Sequence, residues 1–563
     1  MIKFRRGGPP PPGKRYGRIL NSWIASLIVV MSLPPCVAAS SAPLKKENLS
    51  RVEVKHGWFY VDGEKFFVKG VVYEGWRPGE SPGADSMDLS LADQDFRMIR
   101  EAGFNTIRTA GGLTPELITL AEKHGLMVMH GVWFEKNIDY RDSGQAELAS
   151  GMVRENISWA RRHDNVLAYL LANELPVERV ASAGIESTED FLRKIVRSAR
   201  SVDGTRPLAM ANWVPTALLD PLPWDAVAYN AYIYSPVSVM YAMGYEQYLE
   251  QLKKTVPPGK PFLLTEFGAS VSPDSQGVKD AEFFGYGGNT PEEQSRAVLA
   301  MYDDILEAGA TGGCVHEWID AWWRPSDPAE HANDPEEWFG ILGIDDKASD
   351  LKGTPRKAYY ALKEYNQALV VEPRRRELYA QKAPVEVYAE KDITRVMVRV
   401  DDRAWIPLAR EGRFWWKGSI DTSELSDGEH RLFMEAFAGD EKRCAKEQPL
   451  WVYRDAAGVA DLVVEVATDS KEYTAGEKVS VVIRVKNARG EPVAGEDVRY
   501  SFFQAAGWQE RKDAGVTDRN GEIKKEIAPF TPGTLVISAG ITYQAGPLQK
   551  KAGGMAVVVI RKD

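Results

Sequence analysis

A chain of 563 residues is too long for one domain, and two to four are expected. Its 44% hydrophobic and 27% charged content is that of ordinary soluble domains, and a net charge of −10 argues against a nucleic-acid-binding protein. Three cysteines, Cys36, Cys314 and Cys444, fall in different segments, which argues against a disulfide framework.

The first 22 residues carry Lys3, Arg5, Arg6, Lys14, Arg15 and Arg18 and no acid. A short apolar run follows from Trp23 to Leu33, then small residues to Ala42. Basic, apolar and small in that order is the pattern of a secretory leader, and the apolar run is short for a membrane span. Residues 1–42 are therefore expected to be a signal peptide or an N-terminal anchor. The protein is expected to be exported, to the periplasm, the cell surface or beyond, with a cell-envelope association left open.

From residue 52 the chain reads as a β lead-in with a hairpin turn at Asp62-Gly63, closing on the apolar run Phe66-Phe-Val-Lys-Gly-Val-Val72. Strands and helices then alternate. Helices are expected near residues 93–102, 114–124, the stretch before 162, 189–202, 245–254, 291–308 and 356–369. Between them lie apolar runs at 104–108, 126–130, 166–174, 207–211, 226–229, 261–268 and 312–318. Counting the run that ends at Val72, this makes eight βα repeats over roughly 300 residues, the size and order of a (β/α)8 barrel. A doubly wound open sheet would call for a glycine-rich phosphate turn after its first strand. The first strand here leads instead into Tyr73-Glu-Gly-Trp-Arg-Pro78.

Reactive groups in such barrels collect at the C-terminal ends of the strands. Those ends present Glu74 and Trp76, Arg108, His130 with Glu135, Asn173 and Glu174, Asn230 and Tyr232, Glu266, and Glu317 with Trp318. The run Val166-Leu-Ala-Tyr-Leu-Leu-Ala-Asn-Glu174 is apolar until its last two residues, and Pro261-Phe-Leu-Leu-Thr-Glu266 ends the same way. A charge closing an apolar strand is costly without a role. Glycoside cleavage needs one carboxyl held neutral and another held ionised. Burial on an apolar strand suits Glu174 to the first part. Arg108 and Tyr232, if they approach Glu266, suit it to the second.

These residues carry a resemblance. Asn173-Glu174 closing the fourth strand and Glu266 closing the seventh look like the signature of the clan of retaining glycosidases built on this barrel. The stretches Phe67-Val-Lys-Gly70, Gly103-Phe-Asn-Thr-Ile-Arg-Thr109, Gly125-Leu-Met-Val128, Asn230-Ala-Tyr232 and Thr265-Glu-Phe-Gly268 resemble the catalytic domain of family 2 glycoside hydrolases, the β-galactosidase and β-glucuronidase type. The resemblance implies Glu174 as acid/base and Glu266 as nucleophile, with Arg108, Asn173, Tyr232 and Trp318 lining the donor-sugar subsite. His130 and Asn230 join them as substrate-binding candidates. Trp318 is open between sugar platform and barrel packing, and His130 and His316 read as hydrogen-bonding residues.

The chain departs from the family pattern in two places. A short lead-in stands where family 2 chains typically carry a jelly-roll and an immunoglobulin-like domain, and Gly111-Gly112 stands where His-Tyr-Pro is usual. The sugar is thereby left open. Asp164-Asn-Val-Leu-Ala-Tyr169 and the Asn-Glu pair are also similar to β-1,3-glucanosyltransferase barrels, so transfer to a sugar is the alternative to hydrolysis. A catalytically silent polysaccharide-binding envelope protein is the alternative of another class. No cofactor and no metal are expected: a metal-dependent barrel hydrolase would show a His-x-His near its first strand. Glu74, Glu135 and Glu317 are expected to be solvated or secondary sugar contacts. The segment with Trp322, Trp323, Arg324, Trp338 and Phe339 is expected to wall the cleft.

Past residue 370 the pattern changes to short alternating strands with frequent turns. Residues 373–377 read as a charged linker, and residues 380–456 and 459–563 as two immunoglobulin-like sandwiches. Either they act as spacers or packing supports, or they bind carbohydrate through Trp415, Trp416 and Trp508. The expected whole is a barrel domain at residues 50–370, followed by two all-β domains, acting on an oligo- or polysaccharide.

Overall fold

A computed structural model describes residues 52–562 apart from 83–86, 235–236, 275–283, 325–328, 346, 349 and 505–508. The leader read at residues 1–42, Cys36 and Trp508 lie outside the described residues.

Eight parallel strands close into a barrel: Val68–Val72, Thr106–Arg108, Met127–Gly131, Val166–Asn173, Leu208–Asn212, Val227–Asn230, Phe262–Phe267 and Gly312–Val315. They run around the barrel in chain order, and the last pairs with the first through Gly312 opposite Val68 and Cys314 opposite Gly70. That closure is tight. A Cβ on Gly70 would collide with the Cys314 side chain, so the seam requires a glycine there. The fourth strand is buried along all but its last residue, which is why its sequence shows no alternation. The helices begin where the sequence marks them. Thr114 caps the helix Pro115–Lys123, and Thr290 with Glu293 forms a capping box on Pro291–Glu307.

The lead-in is a three-stranded sheet, Val52–Lys55, Trp58–Val61 and Glu64–Phe66. Its Val52, Phe59 and Phe66 share one apolar cluster with Met129, Leu167, Ala209 and Leu263 from the barrel interior. It joins the barrel at the N-terminal ends of the strands, so it plugs the floor and leaves the opposite end open.

Two sandwiches follow. The first pairs a four-stranded sheet (Ala368–Glu372, Lys382–Ala389, Trp415–Asp421, Ala409–Glu411) with a five-stranded one running from Leu378–Tyr379 to Ile406–Pro407. The closing helix is shorter than expected, Lys357–Tyr365. The chain then enters Ala368–Glu372 as a strand, because Ala-Leu-Val-Val buries its apolar side against Lys382–Ala389. Residues 373–377 are therefore a connection inside this sandwich and not a linker ahead of it. The second sandwich sets Leu462–Thr468, Val479–Asn487 and Glu522–Ile527 against a five-stranded sheet that includes Asp497–Gln504, Gln509–Val516, Gly533–Ala545 and Leu548–Arg561.

The second sandwich docks on the barrel. Its Val536 and Val559 belong to the same apolar cluster as the barrel helices. Glu472 accepts the Ile185 N–H at 2.6 Å, capping the helix Ile185–Val202 from another domain. A Cβ on Gly540 would strike the Ala242 carbonyl, which shows how closely that sheet approaches the helix Val237–Ala242.

Candidate active site

Glu174 follows directly on the fourth strand. Its N–H donates to the Ala211 carbonyl at 2.9 Å, and its φ of 43° is left-handed, a conformation costing a non-glycine residue about 1–3 kcal/mol. Lys136 holds the turn in place: its Nζ donates to the carbonyls of Asn173 (2.6 Å) and Glu174 (3.1 Å). Asn230, closing the sixth strand, donates through Nδ2 to Glu174 Oε1 at 2.8 Å and to Asn173 Oδ1 at 3.1 Å. The Thr265 hydroxyl donates to Asn230 Oδ1 at 2.8 Å, which fixes which end of the amide faces the acid.

Glu266 lies near the end of the seventh strand and is 7% exposed. Arg108 Nη1 is 2.7 Å from its Oε1, and the Tyr232 hydroxyl donates to its Oε2 at 2.5 Å. The second Arg108 nitrogen, Nη2, donates to Asn173 Oδ1 at 2.6 Å. One guanidinium therefore ties the Asn173-Glu174 pair to Glu266 across the barrel mouth.

The environments push the two carboxyls apart. Burial, then the negative charge of Glu266, raises Glu174 to about 7; the Asn230 amide works against that rise. Burial also acts on Glu266, but the Arg108 guanidinium and the Tyr232 hydroxyl, with Arg324 farther off, outweigh it and hold Glu266 below the ordinary carboxylate range. His316 is itself pushed down to about 3 by burial, so it is uncharged near neutrality and the positive charge acting on Glu266 is chiefly that of Arg108.

Both acids open into one crevice of about 1230 Å³, lined by Arg108, Asn173, Asn230 and Tyr232. Trp76, Trp213 and Trp133 also line it, and Trp133 stands 54% exposed at the rim. Such flat apolar faces beside polar groups suit a sugar, with its apolar ring face and hydroxyl edge.

Four expectations need correction. His130 is absent from the crevice. Met129 takes the barrel interior, so alternation sends the His130 ring outward, where it packs edge-on against Trp159 and Tyr169 with no exposure. Trp318 is likewise fully buried and packs on Tyr359 of the closing helix, which makes it barrel packing and not a platform. Glu74 and Glu317 are not solvated: they are 8% and 0% exposed, on either side of Arg324, whose Nη2 lies 3.6 Å from Glu74 Oε2 and 3.9 Å from Glu317 Oε2. Burial drives Glu317 well above the usual carboxylate range in spite of Arg324. Of the segment expected to wall the cleft, Trp323 and Arg324 do so, while Trp322 and Trp338 stack on His331 beneath it. Glu135 is exposed and lines the crevice.

The reading of residue types missed Lys136 and Thr265. Both hold a site residue by its backbone or its amide, roles that leave no mark in local sequence. It also missed Phe503, Gln504 and Gln509 of the second sandwich, which line the crevice from the far end of the chain.

Fold and site together define a (β/α)8 barrel with paired acids at its mouth. Residues 52–286, which include both acids, match the family model of the TIM barrel domain of family 2 glycosyl hydrolases. No curated protein matches the sequence. Among solved structures the chain is similar to β-glucuronidase 3 of Bacteroides uniformis, at 15% identity and a TM-score of 0.40 over 90% of this chain and 64% of that one. It is also similar to the β-glucuronidase of Parabacteroides merdae, at 14% identity and a TM-score of 0.43 over 90% and 64%. A family 2 β-galacturonidase from Eisenbergiella tayi bound to glycerol is similar at 21% identity and a TM-score of 0.44, over 56% of this chain and 53% of that chain. The chain thus spans less than two thirds of the length of these enzymes.

Proposed function

We propose that the protein is a retaining glycoside hydrolase acting on a β-linked oligo- or polysaccharide, with Glu266 as nucleophile and Glu174 as acid and then base. The observation that carries this reading is the opposite poise of two carboxyls in one crevice: Glu174 raised to about 7, Glu266 held ionised by Arg108 and Tyr232. Glu266 attacks the anomeric carbon while the bond from that carbon to the leaving oxygen breaks and Glu174 gives that oxygen its proton. Glu174, now a carboxylate, takes a proton from water. The water oxygen bonds to the anomeric carbon as the Glu266 ester breaks, so the sugar leaves with its original configuration. Arg108, Asn173, Asn230 and Tyr232 are positioned to orient both acids and to meet the hydroxyls of the sugar. A sugar acceptor in place of water would give transfer by the same steps, recognised by products longer than the substrate.

The test is a screen of the protein lacking residues 1–42 against β-linked aryl glycosides and glucans, alongside Glu266→Gln. Turnover lost in the variant supports the reading, and turnover that the variant keeps removes it. The leader at residues 1–42 extends the proposal to export, tested by finding the mature N-terminus near Ala42 in protein recovered outside the cytoplasm.

A further inference from the structure

The second sandwich does more than pack on the barrel. Its strands Asp497–Gln504 and Gln509–Val516 reach the crevice, where Phe503, Gln504 and Gln509 form part of the wall. Phe503 is half-buried and rests against the barrel's apolar cluster. Gln504 is 2% exposed, and its Nε2 donates to the Thr531 carbonyl at 2.8 Å. That bond fixes the amide, and Gln504 Oε1 has no hydrogen-bond partner among the described residues. That oxygen has almost no accessible surface, and alternation turns the Gln504 side chain toward Tyr500 and Phe502 of the sandwich core; Gln509, directly opposite Phe503 in the strand pair, is exposed and shares the crevice face with it.

The wall is rigid. Arg499 and Arg511, on the two strands, hold their guanidinium groups 5.7 and 5.8 Å from the Tyr241 ring. With the Glu472 cap and the Gly540 contact, this attaches the sandwich to the helix Val237–Ala242 and to the start of Ile185–Val202.

The position of the wall identifies the sugar it would meet. It packs on the helix that follows the sixth strand, and its neighbouring strands pack on the Val214–Thr216 turn that follows the fifth. Trp213, beside that turn, donates Nε1–H to the Leu175 carbonyl at 3.3 Å, so its indole is fixed to the residue after Glu174. Glu174 gives its proton to the leaving oxygen, and the leaving unit therefore departs on the Glu174 side. Glu74 and Arg324 occupy the opposite side, above the first and eighth strands.

Resting on the glycosidase reading, we infer that Phe503 and Gln509 of the C-terminal sandwich form a subsite for the sugar unit on the leaving-group side, Phe503 against its ring face and the Gln509 amide bonding one of its hydroxyls. The last domain then selects saccharides that extend past the cleaved bond over simple aryl glycosides.

The full chain is tested with Phe503→Ala and, separately, Gln509→Leu, which keeps the bulk and removes the amide. The readout is the ratio of kcat/KM on a β-linked oligosaccharide to kcat/KM on an aryl monoglycoside of the same sugar. The ratio is expected to fall about tenfold in each variant, as loss of one such contact would give. A ratio that stays put in Gln509→Leu, or in a Phe503→Ala protein that melts like the parent, overturns the subsite. If the parent turns over neither substrate, the glycosidase reading has failed and binding decides the subsite alone. Calorimetric affinity for the oligosaccharide that is about tenfold weaker in both variants upholds it, and unchanged affinity overturns it.

Discussion

Arg108 Nη1 lies 2.7 Å from Glu266 Oε1, while Nη2 of the same side chain donates to Asn173 Oδ1 at 2.6 Å. A buried guanidinium, 1% exposed, thus sets the charge of one acid and the position of the residue before the other. Replacing it with methionine leaves the burial of Glu266 opposed by the Tyr232 hydroxyl and the more distant Arg324. The Glu266 pKa should rise, moving the acid limb of the activity profile to higher pH, and kcat/KM should fall roughly a hundredfold or more. Arg108→Lys should not restore the rate, because one ammonium has no planar fork to span both partners. Rate–pH profiles of the two variants check this.

Glu174→Gln separates proton donation from nucleophilic attack. With a poor leaving group the variant should lose about 10²–10⁴-fold in kcat. With a nitrophenyl leaving group, which departs unprotonated, the first chemical step should lose much less. Burst kinetics should then show a fast first turnover followed by slow release of the sugar.

The pH profile of kcat/KM should be bell-shaped. The proposed mechanism requires Glu266 ionised and Glu174 protonated. Activity should therefore fall on the acid side as Glu266 gains its proton, below the ordinary carboxylate range, and on the alkaline side as Glu174 loses its proton near 7. The limbs report the pair as a coupled unit. Part of the elevation of Glu174 comes from the negative charge of Glu266, so Glu266→Gln should lower the Glu174 pKa, measured by carbon NMR of labelled carboxyls.

Much of this site is legible in the sequence because its residues close apolar strands. Asn173, Glu174, Arg108, Asn230, Tyr232 and Glu266 each end or follow such a run, and the barrel order brings those ends together. His130 was misplaced because a strand buried on both faces has no polar alternation to show which side a residue takes. Glu317 and Trp318 follow the eighth strand too, but the closing helix covers Trp318, and no local pattern announces a covering element from elsewhere in the chain. For the same reason the role of the last sandwich as a crevice wall lies beyond sequence reading: Phe503 and Gln509 sit in unremarkable strands, and only the docking of that domain brings them to the barrel mouth.

The first sandwich is held to the barrel by a buried charge cluster. Lys69, 1% exposed on the first barrel strand, pairs with Glu390 and donates to the Asn366 carbonyl at 2.7 Å, while Arg100 Nη2 donates to Glu390 Oε2 at 2.6 Å. Glu390→Ala strands Lys69 without a counter-charge and should cost about 3–5 kcal/mol. The neighbour pair of Lys65 and Glu386, 3.7 Å apart with side chains 25% and 26% exposed, is the control: Glu386→Ala should cost no more than about 1 kcal/mol. Urea unfolding midpoints of both variants against the parent make the comparison.

The most direct test of the two-acid account is the mass of the peptide containing Glu266 when Glu174→Gln is quenched during turnover of an activated aryl β-glycoside. Slow breakdown of the intermediate should leave one sugar residue, ester-linked, on Glu266. A sugar on any other carboxylate, or a Glu266→Gln protein that turns the same substrate over at the parent rate, would contradict the account.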